Sequence, residues 1–319
     1  MAQGTKPAGA KGLLANEFAW IWVATLVLFA VSAWLAPGTV RMSSISAMLP
    51  FAAILAITAV GQTVVIQQRG LDMSLPGIMS LGGIMFTILG FVTGSLLLAT
   101  VLSLIIAVLV GTVNGLLVAR VNITPIVTTL AVNAVLLGAV RMLSHGSPMA
   151  VPEALATFSH ITIAGIPTTL ILAVGFILGI SILTRATLHG RRFVAVGANP
   201  ATARAAGIPV LRYQVGTYAV AAVCFTVAGM LYAGFIGSAS HIAGNDYLLP
   251  AIAAVVVGGT PFSGGRGSVI ASGMAALFLS QLGQLVLSMG ASTAVQLLVQ
   301  AAAIIIAVTI RHLPGLIGR

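Results

Sequence analysis

The amino-acid sequence predicts an all-α integral membrane protein with about ten transmembrane helices, and three observations carry this prediction. Of the 319 residues, 59% are hydrophobic and only 6% are charged. A soluble domain carries about a quarter of its residues as charges, because it needs a solvated surface, so this composition suits lipid. The apolar residues form long runs, and the basic residues fall between those runs.

Each predicted span is a mostly apolar run, and about 20 residues of helix are needed to cross the hydrocarbon core. The first run is longer than a signal-peptide core of about 7–15 residues, so we expect it to be retained as a helix. The eighth run is too short for a plain span, which predicts a broken helix or one that takes in flanking residues. The predicted spans are Phe18–Ala36, Ala47–Gln67, Met73–Val92, Ser95–Ala119, Pro125–Leu143, Thr168–Ala186, Tyr213–Ile236, Tyr247–Gly259, Ser268–Ser288 and Thr293–Ile310.

The basic residues set the predicted orientation, because cytoplasmic loops carry an excess of lysine and arginine. With the N-terminus in the cytoplasm and a reversal at each span, 12 of the 14 basic residues fall at or near cytoplasmic ends. Only Arg41 and Arg141 fall outside. Ten spans keep both termini inside, so we expect cytoplasmic tails over 1–17 and 311–319 around one polytopic domain over 18–310.

Several functions are excluded by what the sequence lacks. The only lysines are Lys6 and Lys11, so the body of the chain cannot hold a phosphate-binding loop of the G-x-x-x-x-G-K-[ST] kind. We therefore expect no enzyme activity of its own. The net charge of +10 is spread between the spans rather than gathered in one patch, which argues against nucleic acid. No histidine or cysteine spacing matches a standard metal site, so no metal or cofactor is predicted, and Cys224 is predicted to be core filler.

A small helix is predicted in the cytoplasmic segment 188–212, between the sixth and seventh spans. Asn199 is a good N-cap, Pro200 suits the first helical position, and Gly207 suits the left-handed position that ends a helix before Pro209. About two turns of helix are too short to stand alone in water. The segment is therefore predicted to dock on another protein, with a simple connector as the alternative.

Two glycine-rich breaks interrupt the apolar runs, one in each half of the chain. The first is QQRGLDMSLPG (67–77), and the second is VVVGGTPFSGGRGSVIASG (255–273). Paired broken helices are typical of transporters built from internal repeats, so a two-half repeat is a possible organisation. Asp72 in the first break is one of only four acids. It is either a functional carboxylate within the membrane or a helix cap that pairs with Arg69.

Uncharged polar side chains lie within the spans, where they either line a path for a hydroxyl-rich solute or bond one helix to another. Gln281 and Gln284 share a helix face, as do Gln296 and Gln300. Both interpretations stay open. The predicted path residues are Gln62, Asp72, Ser74, Asn114, Asn133, Gln281 and Gln284.

Four segments occur in one order along the chain: GLDMSLPG (70–77), NGLLVARVNITPIVTTL (114–130), VGANPATARAAGI (196–208) and VVGGTPFSGGRGS (256–268). With them the chain resembles the permease subunits of bacterial ABC importers for monosaccharides, of the ribose, xylose and galactose type. The family usually has two glycines before the isoleucine or leucine of the first segment, where this chain has Arg69-Gly70, and Pro76 replaces a common valine. These departures leave the identity of the sugar open.

The resemblance implies a bacterial inner-membrane protein that forms the translocation path for a monosaccharide or similar solute. Two permease chains, identical or paralogous, would flank the path, and a periplasmic solute-binding protein would deliver the solute. Two ABC ATP-binding subunits would grip the cytoplasmic segment 188–212, which we call the coupling segment, and drive the switch between faces. The residues implied in this coupling are Asn199, Pro200, Ala203, Arg204, Ala206 and Gly207.

Two other interpretations stay open at this stage. A sister permease could carry a nucleoside or a sugar-like signal molecule. A stand-alone secondary transporter is less favoured, because ion-coupled carriers bury several charged groups. Here only Asp72 and Asp246 lie near the spans.

Overall fold

The computed structural model of the chain describes Phe18 and residues 20–317, and helices dominate that part. The helices are α1 Trp20–Leu35, α2 Met42–Gln67, α3 Leu75–Thr93, α4 Leu96–Ala119, α5 Pro125–Leu143, α6 Glu153–His160, α7 Thr168–Ala186, α8 Leu188–Ala198, α9 Pro200–Ala205, α10 Val210–Ile236, α11 Asn245–Val257, α12 Val269–Ser288 and α13 Thr293–Ile317. A 3-10 turn, Pro37–Val40, follows α1. The short strands are β1 Met149–Ala150, β2 Thr162–Ile163, β3 Ile166–Pro167 and β4 Ser238–Ala239.

Each predicted span coincides with a described helix, and the all-α membrane class is confirmed. Seven described helices are long and apolar enough to cross a membrane: α2, α3, α4, α5, α7, α10 and α12. α1, α11 and the Thr293–Ile306 part of α13 are shorter apolar helices. The predicted tail over 1–17 lies outside the described residues, and α13 runs to Ile317, past its predicted end at Ile310.

α2 is the central helix of the bundle. It packs against α7, α10, α11 and α12. In its most apolar stretch of 18 residues, 89% of the residues are buried. A helix that is hydrophobic all round belongs in such a position. In the corresponding stretches of α4, α5 and α7, only 17–22% of the residues are buried. The outer faces of these three helices therefore expose leucine, isoleucine and valine. Apolar faces of this extent are suited to lipid.

Small residues let the central helices approach closely. A Cβ atom added to Gly111 or Gly115 of α4 would overlap the backbone of α10 at Ala219 or Val215. Close approach of this kind stabilises helix pairs in lipid, where transfer from water contributes little. Gly175 of α7 has nothing within 4 Å of an added Cβ, so it marks no close helix contact within the described residues. Cys224 is fully buried in α10, as predicted.

The short eighth run is a broken helix. After α10 ends, β4 pairs with β1, and the chain then turns back until Gly244 contacts Pro76 and its N–H donates to Ser80 Oγ at 3.3 Å. The N–H of Gly77, next to Pro76, donates to Asn133 Oδ1, and Asn133 lies halfway along the 19-residue α5. α11 therefore begins near mid-depth of the bundle. Its 13 residues extend only about 20 Å.

Candidate functional site

Three sequence motifs meet at one end of the bundle, in a cluster that we call the glycine junction (residues 67–70, 193–198 and 264–268). The N–H of Gly265 donates to the carbonyl of Gln67 at 2.8 Å. The Nε2 amide of Gln68 donates to the carbonyl of Phe193 at 2.7 Å. The two glycine-rich breaks and the coupling segment therefore contact one another directly, although they are far apart in sequence.

The side chain of Arg69 makes two hydrogen bonds at the centre of the junction. Its Nε donates to the carbonyl of Gly197 at 2.8 Å, and its Nη2 donates to the carbonyl of Ala198. These carbonyls belong to the last turn of α8, where cations interact favourably with the helix dipole. Arg69 adopts a left-handed φ of 64° to reach them. Of the two alternatives for Asp72, the local pairing with Arg69 is not the one formed, because the guanidinium bonds to the end of α8.

The glycines of the junction are required by close approach. A Cβ atom added to Gly197 would overlap the carbonyl oxygen of Gln67, and one added to Gly264 would overlap the side chain of Arg69. Gly264 and Gly265 also adopt left-handed φ values of 77° and 73°, which glycine tolerates best. A side chain added at Gly197 or Gly264 would overlap its neighbours, so the three segments are closely packed.

A side-chain hydrogen bond also joins the junction to α7. Arg185 Nη2 donates to Ser268 Oγ at 2.8 Å, and Ser268 is the N-cap of α12. The Ser268 hydroxyl also accepts the N–H of Ala271 at 3.3 Å. The start of α12 is thus fixed to the end of α7 as well as to the end of α2.

The small capped helix forms as predicted. Asn199 Oδ1 accepts the N–H groups of Ala201 and Thr202 at 3.0 and 3.1 Å, and Gly207 adopts a left-handed φ of 76°. Among the predicted coupling residues, Asn199, Arg204, Ala206 and Gly207 are exposed, and Pro200 is partly buried.

Ala203 has a different role from its neighbours on α9. It is only 3% exposed and packs with Val196 and Val210 in a small apolar cluster. It therefore seats α9 on α8 and α10 and does not face outward. The outward-facing surface of the segment is carried by the exposed residues around it.

Asp72 lies beside the junction in a buried polar network. Its Oδ1 accepts both the N–H and the hydroxyl of Ser74, and Asn114 Nδ2 donates to Ser74 Oγ at 2.8 Å. Burial raises the pKa of Asp72 to about 6, and the hydrogen bonds from Ser74 oppose this rise. The network holds the 68–74 loop against α4.

The other residues predicted for the path divide into three groups. Asn133 accepts the N–H of Gly77, so it braces the start of α3. Gln62 and Gln281 are fully buried, and no hydrogen-bond partner is found for either side-chain amide within the described residues. Of the predicted set, Gln284 alone lines the large cavity of the described bundle.

That cavity, which we call the open cavity, has a volume of about 1010 Å³ and lies between α2, α11, α12 and α13. It lies toward the end opposite the junction, since Gln284 Nε2 also reaches the carbonyl of Ser44 near the start of α2. Its polar side chains are Ser44, Asn245, Asp246, Ser280, Gln284, Ser288, Thr293, Gln296 and Gln300. Hydroxyl, amide and carboxylate groups therefore converge on one space.

The first turn of the broken helix α11 faces the open cavity. Asn245 and Asp246 are both exposed there, and Tyr247 behind them packs edge-on against Tyr232 with ring centroids 5.7 Å apart. The N–H groups of Asn245 and Tyr247 donate to the carbonyls of Ile242 and Gly244 at 3.0 and 3.1 Å, so the groups offered to a ligand there are the exposed side chains of Asn245 and Asp246. Sequence reasoning did not place Asn245 and Asp246 in the path. The short eighth run, with an acid at its start, was the available signal.

A multi-helix membrane bundle with a large, partly polar cavity at one end and a close-packed junction at the other is the architecture of a membrane transport protein. The chain belongs to the family described as "Branched-chain amino acid transport system / permease component", whose profile matches residues 44–308.

Curated relatives agree with this family. The ribose import permease protein of Escherichia coli K12 is 30% identical over 294 residues, covering 90% of this chain and 91% of the relative. The ribose import permease protein of Bacillus subtilis is 31% identical, covering 88% of each. The autoinducer 2 import system permease protein of Photorhabdus luminescens is 29% identical, covering 81% of this chain and 79% of the relative. No solved structure matches the chain.

Proposed function

We propose that this chain is the membrane-spanning permease subunit of an ATP-driven ABC importer for a monosaccharide or a similar hydroxyl-rich solute. One observation carries the proposal: the glycine junction joins the coupling segment to α2 and α12, and those two helices line the open cavity at their other ends. In this proposal, a force applied at α9 reaches the solute space through α2 and α12.

The polar side chains within the mostly apolar open cavity support a neutral, hydroxyl-rich solute. Its lining offers amide and hydroxyl groups from four helices, and these groups bond well to sugar hydroxyls. The carboxylate of Asp246 would accept a hydroxyl proton and would repel an anionic solute such as a sugar phosphate. The ribose import relatives have names that fit this class.

We further propose ten spans in the bacterial inner membrane, with both termini in the cytoplasm. In this orientation the glycine junction faces the cytoplasm and the open cavity faces the periplasm. Arg69, Arg185 and Arg266 lie at or near the junction, and the arginines of the coupling segment lie at the same end, which agrees with the excess of basic residues in cytoplasmic loops.

Partners supply what this chain lacks. An ABC ATP-binding subunit would hydrolyse ATP and dock on α9 through Asn199, Arg204, Ala206 and Gly207, with Pro200 and Ala203 holding the helix in place. A second permease chain, identical or paralogous, would close the open side of the cavity. A periplasmic solute-binding protein would deliver the solute. Neither nucleic acid nor a cofactor is part of the proposal.

The test is purification of the tagged chain from its native membranes in mild detergent, with bound proteins identified by mass spectrometry. An ATP-binding subunit in near-equal amount supports the proposal. Repeated recovery of the chain alone, across several detergents, would contradict it and favour a secondary transporter.

A matched pair of variants tests the proposed docking surface. Arg204→Glu reverses an exposed charge on α9, whereas Arg120→Glu reverses an exposed charge after α4, outside the coupling segment. We expect Arg204→Glu to lower solute-stimulated ATPase activity about tenfold, while Arg120→Glu changes it less than twofold. Equal effects of the two variants would remove α9 from the docking surface.

A second candidate is import of a sugar-like signal molecule, favoured by the relatives that are named for autoinducer 2 import. Uptake of labelled ribose, xylose and galactose, each in competition with unlabelled autoinducer 2, separates the two. Uptake of labelled autoinducer 2, with no uptake of any of the three labelled sugars, would select the second candidate.

A further inference from the structure

A separate apolar pocket lies between α7, α8 and α10, at the same end of the bundle as the glycine junction. It has a volume of about 170 Å³, and its walls include Val64, Ile180, Leu183, Phe193 and Val220. It is distinct from the open cavity, because no residue lines both. A narrow, apolar space of this kind suits a hydrocarbon chain and offers almost nothing to a polar solute.

The pocket opens sideways, through the outer surface of the bundle. Gly216 forms part of its rim, is exposed, and has nothing within 4 Å of an added Cβ atom. Leu183 on the opposite wall is 53% exposed. α7, which carries Leu183, is among the least buried helices that could cross a membrane. The opening therefore faces the space that lipid occupies around such a helix.

The mouth of the pocket is basic. Arg212 and His189 line it directly, and Arg191 and Arg192 follow on the exposed side of α8. Among the described residues, the guanidinium groups of these three arginines have no hydrogen-bond partner, unlike those of Arg69 and Arg185. No acid lies anywhere in residues 154–245. Positive charge is therefore available there without a partner inside the chain.

α8 itself has the character of a helix that lies at a membrane surface. Leu188 and Val194 are exposed at 52% and 39%, and they alternate with the exposed Arg191 and Arg192. Helices with apolar and basic residues side by side bind at the interface between headgroups and acyl chains. Basic pockets between helices on the cytoplasmic side bind lipid headgroups by the same attraction.

We propose that this pocket binds one anionic phospholipid, with part of an acyl chain between α7 and α10 and the headgroup phosphate held by Arg212 together with Arg191 or Arg192. The charge of the mouth complements a phosphate, and the apolar pocket below it complements a hydrocarbon chain. The bound lipid contacts Phe193, whose carbonyl accepts the hydrogen bond from Gln68. Lipid in the pocket therefore supports α8 at the edge of the glycine junction.

The test uses the full chain, purified in detergent and analysed by native mass spectrometry with phosphatidylglycerol or phosphatidylcholine added. Gly216→Leu fills the pocket, and Gly138→Leu is the matched control, because Gly138 is another exposed helical glycine with open space around it. We expect the wild type and Gly138→Leu to retain one phosphatidylglycerol per chain, and Gly216→Leu to lose it about tenfold more readily.

A charge variant tests the proposal even if Gly216→Leu fails to fold. Arg212→Gln should lower the preference for phosphatidylglycerol over phosphatidylcholine about fivefold, as expected for one arginine near an anionic surface. Equal lipid retention by Gly216→Leu and Gly138→Leu would overturn the proposal. Loss of a bound protein chain from Gly216→Leu, with lipid retention unchanged, would also overturn it and assign the pocket to a protein partner.

Discussion

The glycine junction and the open cavity lie at opposite ends of the same two helices, and they are built differently. At the junction, α2 and α12 meet the coupling segment through glycines, backbone carbonyls and the side chains of Gln68 and Arg69, and a side chain added at Gly197 or Gly264 would overlap its neighbours. At the cavity, the same helices carry Ser44, Ser280 and Gln284 into a space that long polar side chains only partly fill. The first region can transmit a displacement, and the second can change its shape around a solute.

This difference has a physical basis. Close-packed backbone contacts resist small adjustments, so they shift as whole units between discrete arrangements. A cavity lined by glutamine side chains adapts by rotating side chains, which takes much less free energy. The comparison teaches that substitutions at the junction should impair folding and coupling, whereas substitutions in the cavity should change solute affinity.

The largest expected effect is a loss of stability when a substitution disrupts the packing of the junction. Gly197→Val places a side chain where the carbonyl of Gln67 lies, so we expect a loss of about 3 kcal/mol or more in stability. Gly175→Val is the matched control, because nothing lies within 4 Å of an added Cβ there. The measurement is the fraction of monodisperse chain on size-exclusion chromatography after mild heating. Similar fractions for the two variants would show that the junction is not close-packed.

A pH titration tests the buried carboxylate beside the junction. Because the pKa of Asp72 is raised to about 6, the folded chain holds a proton that the unfolded chain has already released. Stability should therefore fall by up to ~3 kcal/mol as the pH rises from about 4 to about 6. Asp72→Asn should flatten this part of the profile, measured by thermal unfolding in detergent. An unchanged slope would show that Asp72 titrates like an exposed acid.

The smallest effect concerns the cavity and rests on the proposed function. Asp246 is exposed, so Asp246→Asn should leave the unfolding temperature unchanged. Loss of a charged acceptor for a sugar hydroxyl should raise the KM for uptake about tenfold. The measurement is solute uptake into proteoliposomes that contain the partner proteins. A lowered unfolding temperature with an unchanged KM would reverse the contrast between the two regions.

Local features of this molecule could be predicted from sequence, because they depend on neighbours along the chain. The apolar runs, the Asn199 cap and the break before α11 are all of this kind. Which polar side chains reach the cavity depends on helix neighbours far away in sequence. Gln281 and Gln284 lie three residues apart on one helix, yet Gln281 is fully buried and Gln284 faces the cavity.

The pairing of Arg69 was missed for a related reason. Asp72 is near in sequence, but the carbonyls of Gly197 and Ala198 come from a segment brought in by the fold. The resemblance to monosaccharide permeases placed the motifs in order along the chain. It could not indicate that three of them share one set of contacts.

The burial of Cys224 makes the native chain suitable for site-directed labelling. The sulfur lies in a fully buried position in α10, beneath Gly61 of α2, so thiol reagents in water cannot reach it. Spin labels or fluorophores can therefore be attached at introduced cysteines, such as a pair replacing Ser44 and Thr293 across the open cavity, without removing the native thiol. Distances between such labels would report how far the cavity opens during a transport cycle.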